Sequence, residues 1–146
     1  MAVLSTEPAT FAVDGEVAVI KAPLRAAAAD TFFRGGLAWD SATGVIVTAP
    51  ADAALFRGVI AERTVTLAAN DRVKCYIFGH FLFANANFTI ANEGLGFRGT
   101  AADGDNPGSL VTTAPGAGIA GRVGFLTTVE TTATDGWLLA GPFAQD

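Results

Sequence analysis

The stretch that decides the fold runs from Val73 to Phe83 and reads Val-Lys-Cys-Tyr-Ile-Phe-Gly-His-Phe-Leu-Phe. β-branched and aromatic residues dominate it, and asparagines border it on both sides, which is typical of a β-strand. At 3.3 Å per residue the stretch spans about 36 Å, longer than most strands. We therefore expect a bend at Gly79, where no side chain resists it, with one half filling the core and the other reaching an edge or a partner. Two-residue alternation places one set of side chains on one face: Val73, Cys75, Ile77, Gly79, Phe81 and Phe83.

Shorter segments of the same character lie before and after this strand. They recur about every 8 to 12 residues, and no stretch keeps a helical apolar period for three turns. The pattern predicts an all-β chain, a small β-barrel or β-sandwich with short strands and little helix. Local predictions are a hairpin at Asp14-Gly15, one or two helical turns or a loop at residues 24–30, a strand at residues 88–90, a glycine-rich loop within residues 92–118 with one short strand at 110–113, and a turn at Asp135-Gly136.

The length of 146 residues suits one domain that needs neither metal nor disulfide to bury a core. Residues 1–10 show no apolar period, and Pro8 precedes the first convincing strand. We predict a flexible N-terminal arm at residues 1–10 and a single β domain at residues 11–146.

Composition restricts the choice of partners. The chain is 51% hydrophobic but only 16% charged, so we expect part of its surface to be covered by a partner. A net charge of −5, with nine basic residues scattered along the sequence, argues against nucleic acid. No signal peptide and no run of about 20 apolar residues is present, which predicts a soluble chain made in the cytoplasm, without membrane contact.

Two motifs resemble cofactor or metal sites and are interpreted otherwise. Residues 94–99 match G-x-G-x-x-G, but no helix-forming segment follows to hold a pyrophosphate, so we expect a glycine-rich loop. Asp103, Asp105 and Asn106 cluster oxygen ligands, yet the EF-hand glycine and glutamate are missing at their positions, which favours a polar turn. We predict no cofactor and no metal.

Catalytic and sugar-binding patterns are equally weak. His80 is the single histidine and Cys75 the single cysteine; opposite strand parity disfavours a Cys-His pair, and we expect Cys75 to be a buried hydrophobe. Trp39, Tyr76 and Trp137 could form a sugar platform, although core packing is the more frequent use of such residues. We predict that the protein is not an enzyme and assign no catalytic residue.

Several segments, taken in order, resemble the structural cement, or capsid decoration, proteins of tailed bacteriophages. The order and spacing of these segments carry the resemblance, which covers about two thirds of the chain. The segments are Gly-Gly-Leu-Ala-Trp-Asp at 35–40, Ala-Thr-Gly at 42–44, Ala-Pro-Ala-Asp-Ala at 49–53, Phe-Arg-Gly-Val-Ile-Ala-Glu at 56–62, the strand at 73–83, Ile-Ala-Gly-Arg-Val at 119–123 and Asp-Gly-Trp-Leu at 135–138. The glycine-rich residues 94–118 depart from the shorter middle of that family.

The resemblance implies a non-enzymatic virion protein that binds the outside of an assembled phage capsid and stabilises it. The implied partners are the major capsid protein and further copies of the chain, most simply as a homotrimer. We expect the arm to contribute to attachment, with Val3, Leu4, Thr6 and Pro8 as capsid contacts. The alternatives are a carbohydrate-binding β-sandwich module and a small β-barrel hydrolase.

Overall fold

A computed structural model of the protein describes residues 4–27, 29–40, 46–47, 55–62, 65–99, 104–113, 121–130 and 134–141. Strands make up 52% of the structure and helix 6%, which confirms the predicted all-β class with little helix. The predicted contact residue Val3 and the acidic residue Asp103 lie outside the described residues.

The described part of the chain forms twelve strands and two single-turn 3-10 helices. The strands are β1 Phe11–Val13, β2 Ile20–Arg25, β3 Asp30–Phe32, β4 Leu37–Asp40, β5 Ile46–Val47, β6 Phe56–Ile60, β7 Val65–Leu67, β8 Arg72–Ala84, β9 Gly96–Arg98, β10 Val111–Thr112, β11 Arg122–Val129 and β12 Asp135–Ala140. The 3-10 helices are Ile90–Asn92 and Pro107–Ser109.

The long strand β8 organises the sheet, as its sequence predicts. Ten strands form one curled, half-barrel sheet in the order β10-β9-β11-β12-β8-β6-β4-β5, and β1 and β2 also pair with β8. Strands β3 and β7 form a separate two-stranded sheet. All pairs are antiparallel, so the chain builds the sheet by repeated reversal.

The expected hairpin at Asp14-Gly15 is not formed. Strands β1 and β2 both pair with β8, with Phe11 opposite Phe83 and Ile20 opposite Phe78. The backbone N–H of Asp14 donates to the carbonyl of His80, so the connection stays attached to β8. Pairing with the long central strand satisfies more backbone groups than a two-stranded hairpin would.

A β-bulge interrupts the pairing of β2 with β8 two residues before Gly79, where a bend is predicted. Ile20 lies opposite Phe78 and Lys21 opposite Tyr76, which leaves Ile77 as an extra residue. A bulge of this kind shifts the alternation of side chains. The phenol ring of Tyr76 consequently packs 5.5 Å from the ring of Phe81, within the same core cluster.

Two core clusters result, one for each half of β8, which corrects the expectation that only one half fills the core. The smaller cluster contains Ala26, Phe32, Ala38, Ile60, Val73 and Cys75. The larger cluster contains Leu37, Trp39, Phe56, Val59, Phe81, Phe83, Phe88, Phe97, Leu110, Val123, Leu126, Leu138 and Ala140. Because Tyr76 packs against the larger cluster and adjacent strand residues point to opposite faces, Cys75 and Phe81 lie on opposite faces of β8.

Other local predictions also need correction. Residues 24–30 form no helical turn in their described part, because Leu24 and Arg25 pair with β8 and Asp30 begins β3. The described alanines between them belong to no strand or helix, which agrees with the loop alternative. Residues 88–90 do not form a strand, because the backbone N–H of Phe88 closes a turn on the carbonyl of Asn85 and a 3-10 helix begins at Ile90. Asp135 and Gly136 pair with β8 inside β12 instead of forming a turn. Strand β9 interrupts the predicted loop.

Candidate functional site

Three predicted contact residues, Leu4, Thr6 and Pro8, line one open groove of about 600 Å³. The arm forms one wall, and the opposite wall comes from segments at the end of β8 and around the second 3-10 helix. The full lining is Leu4, Ser5, Thr6, Glu7, Pro8, Ala9, Thr10, Ala84, Asn85, Ala86, Asn106, Pro107, Gly108 and Thr134. The groove is therefore lined mostly by small or uncharged side chains, with Glu7 as its single acidic residue.

The start of the described arm is attached to the body at Leu4. Its backbone N–H is shared between the two carboxyl oxygens of Asp105, at 3.3 and 3.4 Å, and Asp105 is only 6% exposed. The side chain of Leu4 lies over Gly36, where an added Cβ would stand 3.0 Å from Leu4 Cδ1. A buried carboxyl group needs hydrogen-bond donors, so this contact favours a docked arm. The predicted flexibility of the arm remains a prediction.

The opposite wall is held by amide side chains. Asn85 is buried, and its Nδ2 donates to the carbonyl groups of Pro107 and Leu110 at 2.9 Å each. Asn106 Oδ1 accepts the backbone N–H of Gly108 at 2.9 Å. The wall is therefore preorganised. On the arm side, Ser5, Thr6 and Ala9 make no hydrogen bond with another described residue, so their backbone groups remain available.

His80 lies outside this groove and forms a hydrogen-bond network with Asp14, which follows β1, and with Thr127 on β11. Its Nδ1 is 2.9 Å from Asp14 Oδ2, and its Nε2 is 2.6 Å from Thr127 Oγ1. The hydrogen bond with His80 lowers the pKa of Asp14 below its usual 3.8. The order Thr-His-Asp resembles a catalytic triad, and the Thr127 hydroxyl also lies 3.1 Å from the carbonyl of Trp137. Because the hydroxyl has one proton for these two contacts, the direction of its hydrogen bond with His80 follows the tautomer of the imidazole.

Cys75 is buried, as predicted, and it lies in the smaller core cluster. It is fully buried, and burial raises the pKa of its thiol to about 12. Its Sγ contacts the carbonyl of Val73 at 3.7 Å, whereas both ring nitrogens of His80 contact other residues. The structure therefore does not bring Cys75 and His80 together as a reactive pair.

The two cofactor-like motifs have structural roles. Gly96–Arg98 form β9, and a Cβ on Gly99 would stand 2.4 Å from the Trp39 ring, so Gly99 allows that ring to pack. Asp105 accepts from the arm, and Asn106 caps the 3-10 helix. Within the described ranges, no group of three or more His, Cys, Asp or Glu side chains could hold a metal ion.

The three aromatic residues do not form one platform. Trp39 is fully buried and its Nε1 donates to the carbonyl of Gly104 at 2.8 Å. Tyr76 packs on Phe81, and Trp137 is half-buried elsewhere, with its Nε1 donating to Glu130 at 2.7 Å. A sugar site could therefore use Trp137 but not Trp39.

One grouping was missed from the sequence. The basic residues are scattered along the sequence, but pairing of β2 with β8 brings Lys21, Arg25, Arg72 and Lys74 onto one exposed face. The sequence does contain a signal for this face, because Lys21 and Arg25 are four residues apart on β2 and Arg72 and Lys74 are two residues apart on β8. What could not be derived was the register that places the strands side by side.

Comparisons of the chain with protein-family models, with curated proteins and with solved structures give no match. Among the described residues, no helix has the length and apolar character needed to cross a membrane.

Proposed function

We propose that this protein is a structural virion protein that binds the outer surface of an assembled phage capsid and stabilises it. The observation that carries the proposal is the groove, which collects the three described residues of the predicted contact set, Leu4, Thr6 and Pro8, on one surface. The sequence resemblance to decoration proteins supplies the partner, the major capsid protein. The site of action is the virion surface, after synthesis in the host cytoplasm.

The chemistry of the groove suits an uncharged segment of a protein partner. Its walls carry small and apolar side chains, and the arm offers unpaired backbone groups at Ser5, Thr6 and Ala9. Backbone hydrogen bonds and burial of apolar surface are the usual sources of affinity for an extended peptide. A capsid repeats such a segment many times, so weak contacts by a trimeric protein would act together.

A second exposed feature lies in the segment that follows β8. Ile90 is 77% exposed and Leu95 37%, although both are apolar. The segment is well held, because Asn92 Nδ2 donates to the carbonyl of Asn87 at 2.7 Å and Gly94 N–H donates to Leu126. An exposed apolar side chain on a supported turn is suited to burial against a partner.

Co-sedimentation with empty heads tests the proposal. The heads come from the phage whose genome encodes the chain, and the protein is compared with Leu4→Asp and with a deletion of residues 2–10. Ala18→Ser, an exposed change outside the groove, serves as the matched control. We expect saturable binding by the intact protein and the control, and at least about tenfold weaker binding by the two groove variants.

The same samples give a second readout. Bound protein should raise the temperature at which heads lose their integrity, because a ligand that binds only the assembled state stabilises it. Absence of binding by the intact protein would refute the decoration proposal. Equal binding by all variants would keep the function but remove the groove and the arm from it.

A further inference from the structure

The basic face consists of Lys21 and Arg25 on β2 and Arg72 and Lys74 on β8. Arg25 lies directly opposite Arg72, Pro23 opposite Lys74, and Lys21 opposite Tyr76. Directly opposite residues share a face of an antiparallel pair, as do alternate residues within one strand. Four of the nine basic residues of the chain thus occupy one small area of sheet, and all four are exposed.

These charges are not neutralised within the described part of the chain. None of the four side chains forms a salt bridge with another described residue. The Lys21 ammonium group lies 5.3 Å from the centre of the Tyr76 ring, which orients it without cancelling its charge. Glu62, the nearby carboxylate, accepts the backbone N–H of Lys74 at 3.3 Å. Like charges directly opposite each other, as at Arg25 and Arg72, destabilise a sheet unless an anionic group binds them.

Protection of a free edge does not explain the whole arrangement. Strand β2 pairs only with β8 among the described strands, and lysine, arginine and proline on such a strand discourage further strand addition. That role would account for Lys21, Pro23 and Arg25. It does not account for Arg72 and Lys74, because β8 has neighbours on both sides. The basic charges on the central strand point to a binding partner.

The remainder of the chain indicates which partner fits. The chain has 9 basic and 14 acidic residues, so without the four residues of the basic face the balance is 5 − 14 = −9. A remainder that is so acidic repels nucleic acid but attracts the basic face of another copy.

Three acidic side chains, which could complement the basic face of another copy, lie near the opposite end of β8. Asp135 pairs with Ala84, the last residue of β8. Glu130 donates its backbone N–H to the carbonyl of Asp135, and Glu93 accepts the backbone N–H of Val129 at 2.8 Å. None of these three carboxylates forms a salt bridge with another described residue. We call Glu93, Glu130 and Asp135 the acidic end.

We propose that the basic face of one copy docks against the acidic end of a second copy, so that the chain associates head to tail. The two surfaces are about 30 Å apart along β8, by 3.3 Å per residue from Lys74 to Ala84, so one copy cannot satisfy both within itself. Head-to-tail contacts close into a ring when the rotation between copies divides a full turn. The proposal rests on the self-association already proposed for the chain and names its contact, and its test on the isolated protein is separate from the test of capsid binding.

Sedimentation velocity of the purified full chain at low and high salt tests the proposal. We expect association at about 50 mM salt that weakens at least about tenfold at 500 mM, because exposed charges are screened. Lys21→Glu/Lys74→Glu should weaken association to a similar extent. Arg98→Glu makes an exposed charge reversal outside the basic face and should leave association unchanged.

A mixing experiment tests the direction of the contact. Glu93→Gln/Glu130→Gln/Asp135→Asn removes the acidic charges but keeps hydrogen-bond acceptors at the positions that use them. This variant and Lys21→Glu/Lys74→Glu should each remain monomeric. Their mixture should form dimers and nothing larger, because one intact basic face then meets one intact acidic end.

Several outcomes would overturn the proposal. A monomeric wild type at 50 mM salt would do so, as would unchanged association of Lys21→Glu/Lys74→Glu. Saturable binding of a fluorescent single-stranded oligonucleotide that Lys21→Glu/Lys74→Glu abolishes would replace the second copy with nucleic acid. Circular dichroism checks the fold of each variant, and Arg25→Gln/Arg72→Gln, which removes the repulsive pair without adding acid, provides a second variant of the same face.

Discussion

The two halves of β8 use the same strand in different ways. Before the bulge at Ile77, the strand buries Val73 and Cys75 and shows its charged side chains to solvent. After the bulge, it buries Phe81 and Phe83 in the larger cluster and carries His80 on the other face. One inserted residue therefore lets a single strand serve two cores on opposite faces, with the basic face lying behind the smaller core.

The largest expected difference between the halves is in core stability. Phe81→Ala should lower the free energy of unfolding by about 3–5 kcal/mol, because a fully buried aromatic ring leaves a large cavity. Val73→Ala, in the smaller cluster, should cost only about 2 kcal/mol. Urea unfolding followed by circular dichroism measures both. A loss below about 2 kcal/mol for Phe81→Ala would contradict the burial of its ring in the larger cluster.

A smaller effect is expected at Gly79, which separates the bulge from the larger core. A Cβ there would stand 2.6 Å from Phe81 Cζ, so Gly79→Ala must displace the ring and should cost about 1–3 kcal/mol. Gly15→Ala is the matched control, since nothing lies within 4 Å of its added Cβ. A control change within about 0.5 kcal/mol is expected. If both variants unfold at the same urea concentration, the packing of Phe81 on Gly79 is not as the structure shows.

Cys75 reports on the opening of the smaller core. Burial raises its pKa to about 12, so native protein at pH 8 should react with a thiol reagent far more slowly than unfolded protein. Val73→Ala should speed native labelling by about tenfold, which corresponds to about 1.4 kcal/mol of easier opening. Rapid stoichiometric labelling of the wild type would contradict the burial. Faster labelling in Phe81→Ala than in Val73→Ala would show that both cores open together.

The sequence predicts much of this architecture because the signals for it are local. Composition and alternation identify β8, most of the other strands and the burial of Cys75. The bulge at Ile77, the attachment of β1 and β2 to β8 and the grouping of Lys21 with Lys74 depend on register between distant segments, which local patterns do not specify. His80 and its two partners, Asp14 and Thr127, come from three separate parts of the chain, so their grouping could not be predicted for the same reason.

The smallest expected effect on stability concerns the second half of β8, where Asp14, the residue after β1, forms a hydrogen bond with His80. The pKa of Asp14 is lowered in the folded protein, chiefly by its hydrogen bond with His80, whereas in the unfolded chain it returns to about 3.8. A lowered pKa means that the unfolded state binds the proton more tightly than the folded state. The contribution of Asp14 to the free energy of unfolding is therefore fully present above pH 3.8 and is lost as the pH falls through the folded pKa. Asp14→Asn should therefore destabilise the protein slightly at pH 6, and the difference from wild type should shrink as the pH falls below 3.8. Glu16→Gln, an exposed change two residues away, is the control. Thermal unfolding of the three proteins between pH 2.5 and 6 measures the effect, and a difference that grows on acidification would give the wrong sign for the contact between Asp14 and His80.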